Sequence, residues 1–341
     1  MTAAISHRLD GLEPDNLLAF LALLGLLRAI EAADREHDRE LRPRAGWDIE
    51  RPPLRPRLFL AKEISQEEIC ETAASGIATL AQAYDFGNRA DLNYSRDEAR
   101  SELMSAARAS EVGNRDQADI LAALMTDAAI KAEKDETIDP TPLCLLFGQG
   151  HQHFLERLAG VPKLQAPPKR GKGKKADVPT EARSLAEALF HPWHRTDPTP
   201  SFRWDPKEDV RYALMAGDPT DAAYKGGTQH GANRLAAIGL AALTVVPERR
   251  FDRVRPSMIG GAFDRHGFSF AWPIWEEPAS LATIRALLAH PDLRKPGALR
   301  HLGVHYVMHA RRVSVGKFMN FTRATPVLEA AAMRGEERLT A

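Results

Sequence analysis

The chain has 341 residues, 44% of them hydrophobic and 27% charged, with 46 Lys and Arg balanced by 46 Asp and Glu. This length suits one large domain or two ordinary ones, and the zero net charge excludes a protein steered to nucleic acid by its global field, so any such contact rests on local clusters of basic residues. Two cysteines far apart, Cys70 and Cys144, argue against a disulfide framework and a cysteine-based zinc site and point to a reducing, cytoplasmic compartment.

The first strong element lies between Asp10 and Arg28. Pro14 suits a turn, Asp15 or Asn16 can cap a helix, and the eleven residues from Leu17 to Leu27 are apolar on nearly every side. Eleven is too few to cross a bilayer, and Asp10, Glu13 and Asp15 stand where a secretory signal would carry its basic region. The expectation is a helix buried at the centre of a core, with no membrane partner.

Short segments broken by prolines follow, Leu41 to Glu50 and Leu54 to Leu60, and read as two edge strands. Ile64 to Tyr84 is helical, with Ser65 as cap and Glu68 three residues on. Two further helices are expected over Tyr94 to Ala109 and Asn114 to Lys134, the second with Asn114 as cap and Gln117 behind it. Thr141 to Leu158 then reads as an extended apolar segment, a glycine turn and a helix start. Glycines at such a turn let a ligand approach the backbone, and free amides at a helix start favour anions. His151 and His153 have a spacing that suits a metal on an extended chain, or they cap and pack at the turn.

Residues 164–179 form the clearest linker, with Lys169, Arg170, Lys172, Lys174 and Lys175 within seven positions beside two glycines. It reads either as a solvated loop or as a flexible phosphate-binding arm. A helix over Thr180 to Phe190 follows. The proline-rich run 197–209 then offers Asp197, Asp205, Glu208 and Asp209, residue types that hold magnesium but that also form turns and surface ion pairs. Arg211 to Met215 reads as a strand. Residues 224–234 are glycine-rich and place Lys225, Thr228, Gln229, His230, Asn233 and Arg234 around a helix start, chemistry that suits phosphate or base contacts. The loop lacks the Gly-Lys-Ser/Thr of a Walker motif. A close-packing helix over Ala232 to Leu243 completes this region.

Phe251 to Ile259 and Phe268 to Ile274 alternate as strands, joined by a loop with Gly260, Gly261 and Gly267. The basic cluster Arg249, Arg250, Arg253 and Arg255 falls on the first. Read as one strand, it sends Phe251, Arg253 and Arg255 to one face and Arg250, Asp252 and Val254 to the other. Pro278 to Ala289 is helical. His301 to Phe321 interleaves Tyr306, Phe318 and Phe321 with His309, Arg311, Arg312 and Lys317. That pattern suits base stacking with phosphate contact, or a core with a solvated rim. A frayed helix is expected from Glu329 onward. The fold class is thus a helix-rich α+β protein. Its expected divisions are a mainly helical domain over 1–163, the linker 164–179, and a mixed domain with short antiparallel strands over 180–341.

Three stretches carry a resemblance. Leu9-Asp-Gly-Leu-Glu-Pro-Asp-Asn-Leu-Leu-Ala-Phe-Leu-Ala-Leu-Leu-Gly-Leu-Leu-Arg28 resembles the opening of CRISPR-associated proteins of type I systems, most of all those of subtype I-G. Phe147-Gly-Gln-Gly-His-Gln-His-Phe154 is similar to that group. So is Phe202-Arg-Trp-Asp-Pro, extended to Tyr212, together with Gly231-Ala-Asn-Arg-Leu235. The resemblance covers roughly a fifth of the chain and brings no catalytic residue, metal or cofactor with it. It implies a large-subunit-like, non-enzymatic component of an RNA-guided interference complex, with other effector subunits, guide RNA and target DNA as partners. In such complexes the protein grips backbone while pairing reads sequence. The basic arm, the loop ending in Arg234, and Gln149 with His151 are the implied contacts. An alternative reading is a metal-dependent nuclease, or an accessory domain of the nuclease-helicase arm, built on His151, His153 and nearby carboxylates. Another is a purely architectural interaction module.

Overall fold

A computed structural model describes residues 5–113, 115–131, 136–146, 153–170, 177–208, 227–250, 252–315 and 318–328. Among them are eight α-helices and ten strands, the helix-rich α+β fold expected. The centre is α1 (Leu17–His37). Asn16 begins it, its side-chain oxygen accepting from the amides of Leu18 and Ala19. Every residue from Leu17 to Ile30 is buried, as an apolar circumference requires.

Two helices press on α1 through glycines. A Cβ at Gly25 would sit 1.8 Å from the Leu235 carbonyl oxygen of α7 (His230–Leu240), and one at Gly239 would sit 2.0 Å from that of Leu21. Reciprocal glycines let the two backbones touch, which no side-chain-bearing pair allows. On another side Gly76 of α2 (Gln66–Ala81) fits against the carbonyl of Ala29. The capping box of α2, with Ser65 and Glu68, forms as the sequence predicts. An identical box, with Ser95 and Glu98, starts α3 (Arg96–Glu111). Phe20 stacks on Trp272 with ring centroids 5.4 Å apart, which brings a sheet onto the remaining face of α1.

That sheet is antiparallel, in the order β10-β8-β7-β6, with β9 also on β8. Its strands are β6 (Gly261–Asp264), β7 (Gly267–Trp275), β8 (Val304–Val315), β9 (Phe318–Phe321) and β10 (Thr325–Pro326). A second sheet has β3 (Arg55–Leu60) between β1 (Ile5–Arg8) and β2 (Arg44–Asp48). The segment expected at an edge is therefore the central strand. Pro56 is tolerated because β1 pairs only with residues 57–60. A separate two-stranded ribbon joins β4 (Val245–Arg250) to β5 (Arg253–Met258).

Two other expectations change. The helix predicted to reach 134 ends early, as α4 (Arg115–Leu124). Thr126 Oγ1 accepts from the amide of Ala128, and Leu124 offers its carbonyl to Thr141, so the backbone finds partners outside the helix. The glycine-rich link before β7 contains a strand of its own, β6, paired with β7. The helices α5 (Phe154–Gly160), α6 (Glu181–Phe190) and α8 (Leu281–Leu288) lie where helices are expected.

One hydrophobic cluster runs from Leu9 to Ala324, with α1 against α7 at its heart. Residues 164–179 separate two halves of sequence but not two cores. Among the described residues no helix is long and apolar enough to cross a membrane. The strand expected at 211–215 and the helix expected from 329 lie outside the described residues.

Candidate nucleic-acid interface

The polar residues at the start of α7 face inward. Gln229 has its side-chain oxygen accepting from the amides of His194 and Arg195, at 3.1 and 3.3 Å. His230 donates its amide to Asp197 at 3.0 Å, and its Nε2 lies 2.7 Å from the Leu164 carbonyl oxygen. Burial lowers the His230 imidazole to about 4, so it is neutral near pH 7. Asn233 donates to Thr228 Oγ1 and to the Gln229 carbonyl. Arg234 is 1% exposed and donates to the carbonyls of Pro162 and Gln165 and to Glu181 at 2.7 Å. These four of the residues expected to meet phosphate or bases are committed to the protein itself, because the helix they begin is wedged beneath α1.

Arg170 behaves in the same way. Its guanidinium pairs with Asp197 at 2.6 Å and Glu187 at 2.8 Å, and its backbone bridges Asp177 in both directions. The described ends of the basic arm are thus pinned together, with Lys169 exposed beside them. Glu187 also accepts from Arg183 and lies 3.2 Å from His194 Nε2. Desolvation opposes its ionisation, but the bonds from Arg170 and His194 outweigh it and hold the carboxyl well below its usual range.

The Trp-Asp-Pro segment closes this polar seam. Trp204 stacks on Phe202 at 4.5 Å and donates to the Leu143 carbonyl. Asp205 accepts from Asn16 at 2.9 Å and from Arg195 at 2.6 Å. Glu208 accepts from the hydroxyls of Ser201 and Thr228, and desolvation, reinforced by Asp205, raises it to about 7. These acidic residues serve as internal acceptors. Among the described residues no group of three or more His, Cys, Asp and Glu stands together as a metal site. His153 has Asp91 at 3.1 Å. Lys172, Lys174, Lys175, Lys225, Gln149, His151 and Lys317, expected as contacts, lie outside the described residues.

Basic side chains gather instead on the opposite part of the sequence. The register of the ribbon is Glu248↔Arg255, Arg249↔Val254 and Arg250↔Arg253. Because the chain reverses between 250 and 253, Arg250 joins Arg253 and Arg255 on one face. The single-strand reading put it on the other. Two arginines directly opposite each other repel across a ladder. Arg255 is exposed and its guanidinium lies 5.6 Å from the centre of the Phe263 ring. Arg253 lies 3.8 Å from Asp139, and Arg250 lies 3.9 Å from Glu248. Arg249 is exposed on the other face.

Beside the ribbon, Arg311 pairs with Asp264 at 2.9 Å, and Arg312 donates to the Pro142 carbonyl and lies over Phe268. Arg294 donates to Ser269 and to the Gly260 carbonyl. Burial, with Arg311 adding repulsion, lowers Arg294 to about 10, and burial with a smaller push from Arg255 lowers Arg312. Arginines thus outnumber the carboxylates Asp139, Glu248, Asp252 and Asp264 on this surface. The signal in sequence was the spacing itself, two arginine pairs around Phe251-Asp252, together with Pro247 and Pro256, which stand opposite each other and suit free edges.

No family model matches the chain, and its comparison with curated proteins and with solved structures gives no match.

Proposed function

We propose that this chain is a non-enzymatic, cytoplasmic subunit of a CRISPR RNA-guided interference complex, touching nucleic acid and neighbouring subunits. One observation carries the reading. Of the stretches that hold the resemblance, the opening helix, Phe202 to Asp205 and Gly231 to Leu235 meet in a single junction although they stand far apart in sequence. Gly25 lies under the Leu235 carbonyl. Asn16 donates to Asp205, the Leu18 amide donates to the Trp204 carbonyl, and the Phe202 amide donates to Asn233. The three stretches that carry the resemblance thus pack on one another, and this mutual packing is what supports the reading. The clustered arginines supply the kind of surface that grips a phosphate backbone.

The test is affinity purification of the tagged chain from its native host, with mass spectrometry of co-eluting proteins and the 260/280 nm absorbance ratio. Co-elution with other CRISPR-associated subunits and a short uniform RNA is the expected result. A chain that elutes alone and free of nucleic acid overturns the reading.

A further inference from the structure

We infer that the β4–β5 ribbon is a docking element for double-stranded nucleic acid, with Arg250, Arg253 and Arg255 on the phosphates. The inference deepens the proposed function and rests on its nucleic-acid role. It names a surface that lies outside the basic arm and the α7 loop.

Three observations lead to it. Among the described residues the ribbon is a two-stranded antiparallel unit without a third strand in its ladder. A ribbon of that width is one of the two elements that a major groove admits. Second, Arg250 stands in register with Arg253, with Arg255 two residues further along the same face. Like charges in that position work against the hairpin, and phosphate is the partner that turns the repulsion into attraction. Third, the guanidinium groups lack the close pairing found in the seam. Arg253 Nε is buried without a hydrogen-bond partner, and its nearest ion-pair distance is 3.8 Å. Arg255, opposite Glu248 in the ladder, rests on the Phe263 ring, which fixes the plane of its fork, and among the described residues it makes no close ion pair. By contrast, Arg170 and Arg195 hold carboxylates at 2.6 Å.

Duplex is favoured over single strand by what the ribbon carries. Binding single strands relies on exposed aromatic platforms. Among the described residues, the aromatic ring beside these arginines is Phe263, which is already covered by Arg255 and lies edge-on to Phe268. A backbone contact that leaves bases paired needs the arginines alone.

The experiment uses the full chain and a fluorescent 30-base-pair DNA duplex, with affinity measured across a salt series. Three variants are compared with the unaltered protein. The first is Arg250→Gln/Arg253→Gln/Arg255→Gln. The second has Lys at the same three positions. The third, Arg96→Gln/Arg100→Gln/Arg108→Gln, removes the same charge from exposed positions on α3. The Gln variant is expected to lose at least about tenfold in affinity, and its slope of log affinity against log salt is expected to fall by about 3, roughly one per arginine. The Lys variant is expected to keep the slope and lose part of the affinity, because charge remains and the planar fork is gone. The α3 variant is expected to match the unaltered protein. An unaltered protein that does not bind the duplex, a Gln variant with unchanged slope, or an α3 variant as weak as the Gln variant each overturns the inference. A tighter grip on single strands that the Gln variant abolishes overturns the duplex assignment. If the ribbon result holds and the chain purifies without CRISPR subunits, the subunit reading fails and the ribbon stands.

Discussion

The arginines of the polar seam and those of the ribbon are the same residue type in opposite settings. In the seam each guanidinium sits on a carboxylate or a carbonyl, and Arg234 is 1% exposed. In the ribbon two arginines stand directly opposite each other in register, and the nearest carboxylates are 3.8 Å away or more. The first arrangement builds the fold. The second tolerates a repulsion that the fold has no use for. Basic residues therefore divide by their partners, which the count of charges along the sequence does not reveal.

The largest expected effect lies in the seam. Arg234→Ala strips the carbonyls of Pro162 and Gln165 and the carboxylate of Glu181 of their donor. Removing one member of a buried pair costs about 3–5 kcal/mol, which urea denaturation would register as a large fall in midpoint. Asn16→Ala comes next. It removes the cap of α1 and the donor to buried Asp205, for a combined loss of about 2 kcal/mol by the same measurement.

The seam also sets a pH dependence of two signs. Glu208 is raised to about 7, so the folded state keeps its proton after the unfolded chain has released it. Its contribution is present at acid pH and is lost as pH rises from the ordinary carboxylate range through about 7. Glu187 is lowered, so its contribution is present above that range and is lost as pH falls below it. Thermal unfolding in a pH series is expected to show a shallower decline between about pH 4.5 and 7 for Glu208→Gln, and a shallower acid-side loss for Glu187→Gln.

The smallest expected effect is in the ribbon. Arg250→Gln/Arg253→Gln should stay within about 0.5 kcal/mol of the unaltered stability or exceed it, since the change relieves a like-charge pair. A drop as large as that of Arg234→Ala would erase the distinction between the two regions.

Features that depend on neighbours in sequence were legible in it. The caps at Asn16 and Ser65 form, and the all-apolar stretch after Asn16 is the buried helix. Strands whose partners lie far away were less so. β1 is four residues long and finds its ladder on residues 57–60, and β6 hides among glycines. The candidate site was half visible. Gln229, His230, Asn233 and Arg234 read as polar chemistry at a helix start, which they are. The direction they face is set by the glycine contact between α1 and α7, a tertiary fact. The arginines at 249–255 were visible as a cluster, but which face each takes depends on the antiparallel pairing of β4 with β5, which alternation alone does not signal.

The most direct measurement is the change in unfolding temperature on adding a 30-base-pair duplex at low salt, for the unaltered protein and for Arg250→Gln/Arg253→Gln. A ligand that binds only the folded state raises that temperature. The account expects a clear rise for the unaltered protein and little or none for the variant, with both melting alike when no duplex is present. An equal rise in both proteins, or a variant that melts well below the unaltered protein without duplex, would contradict it.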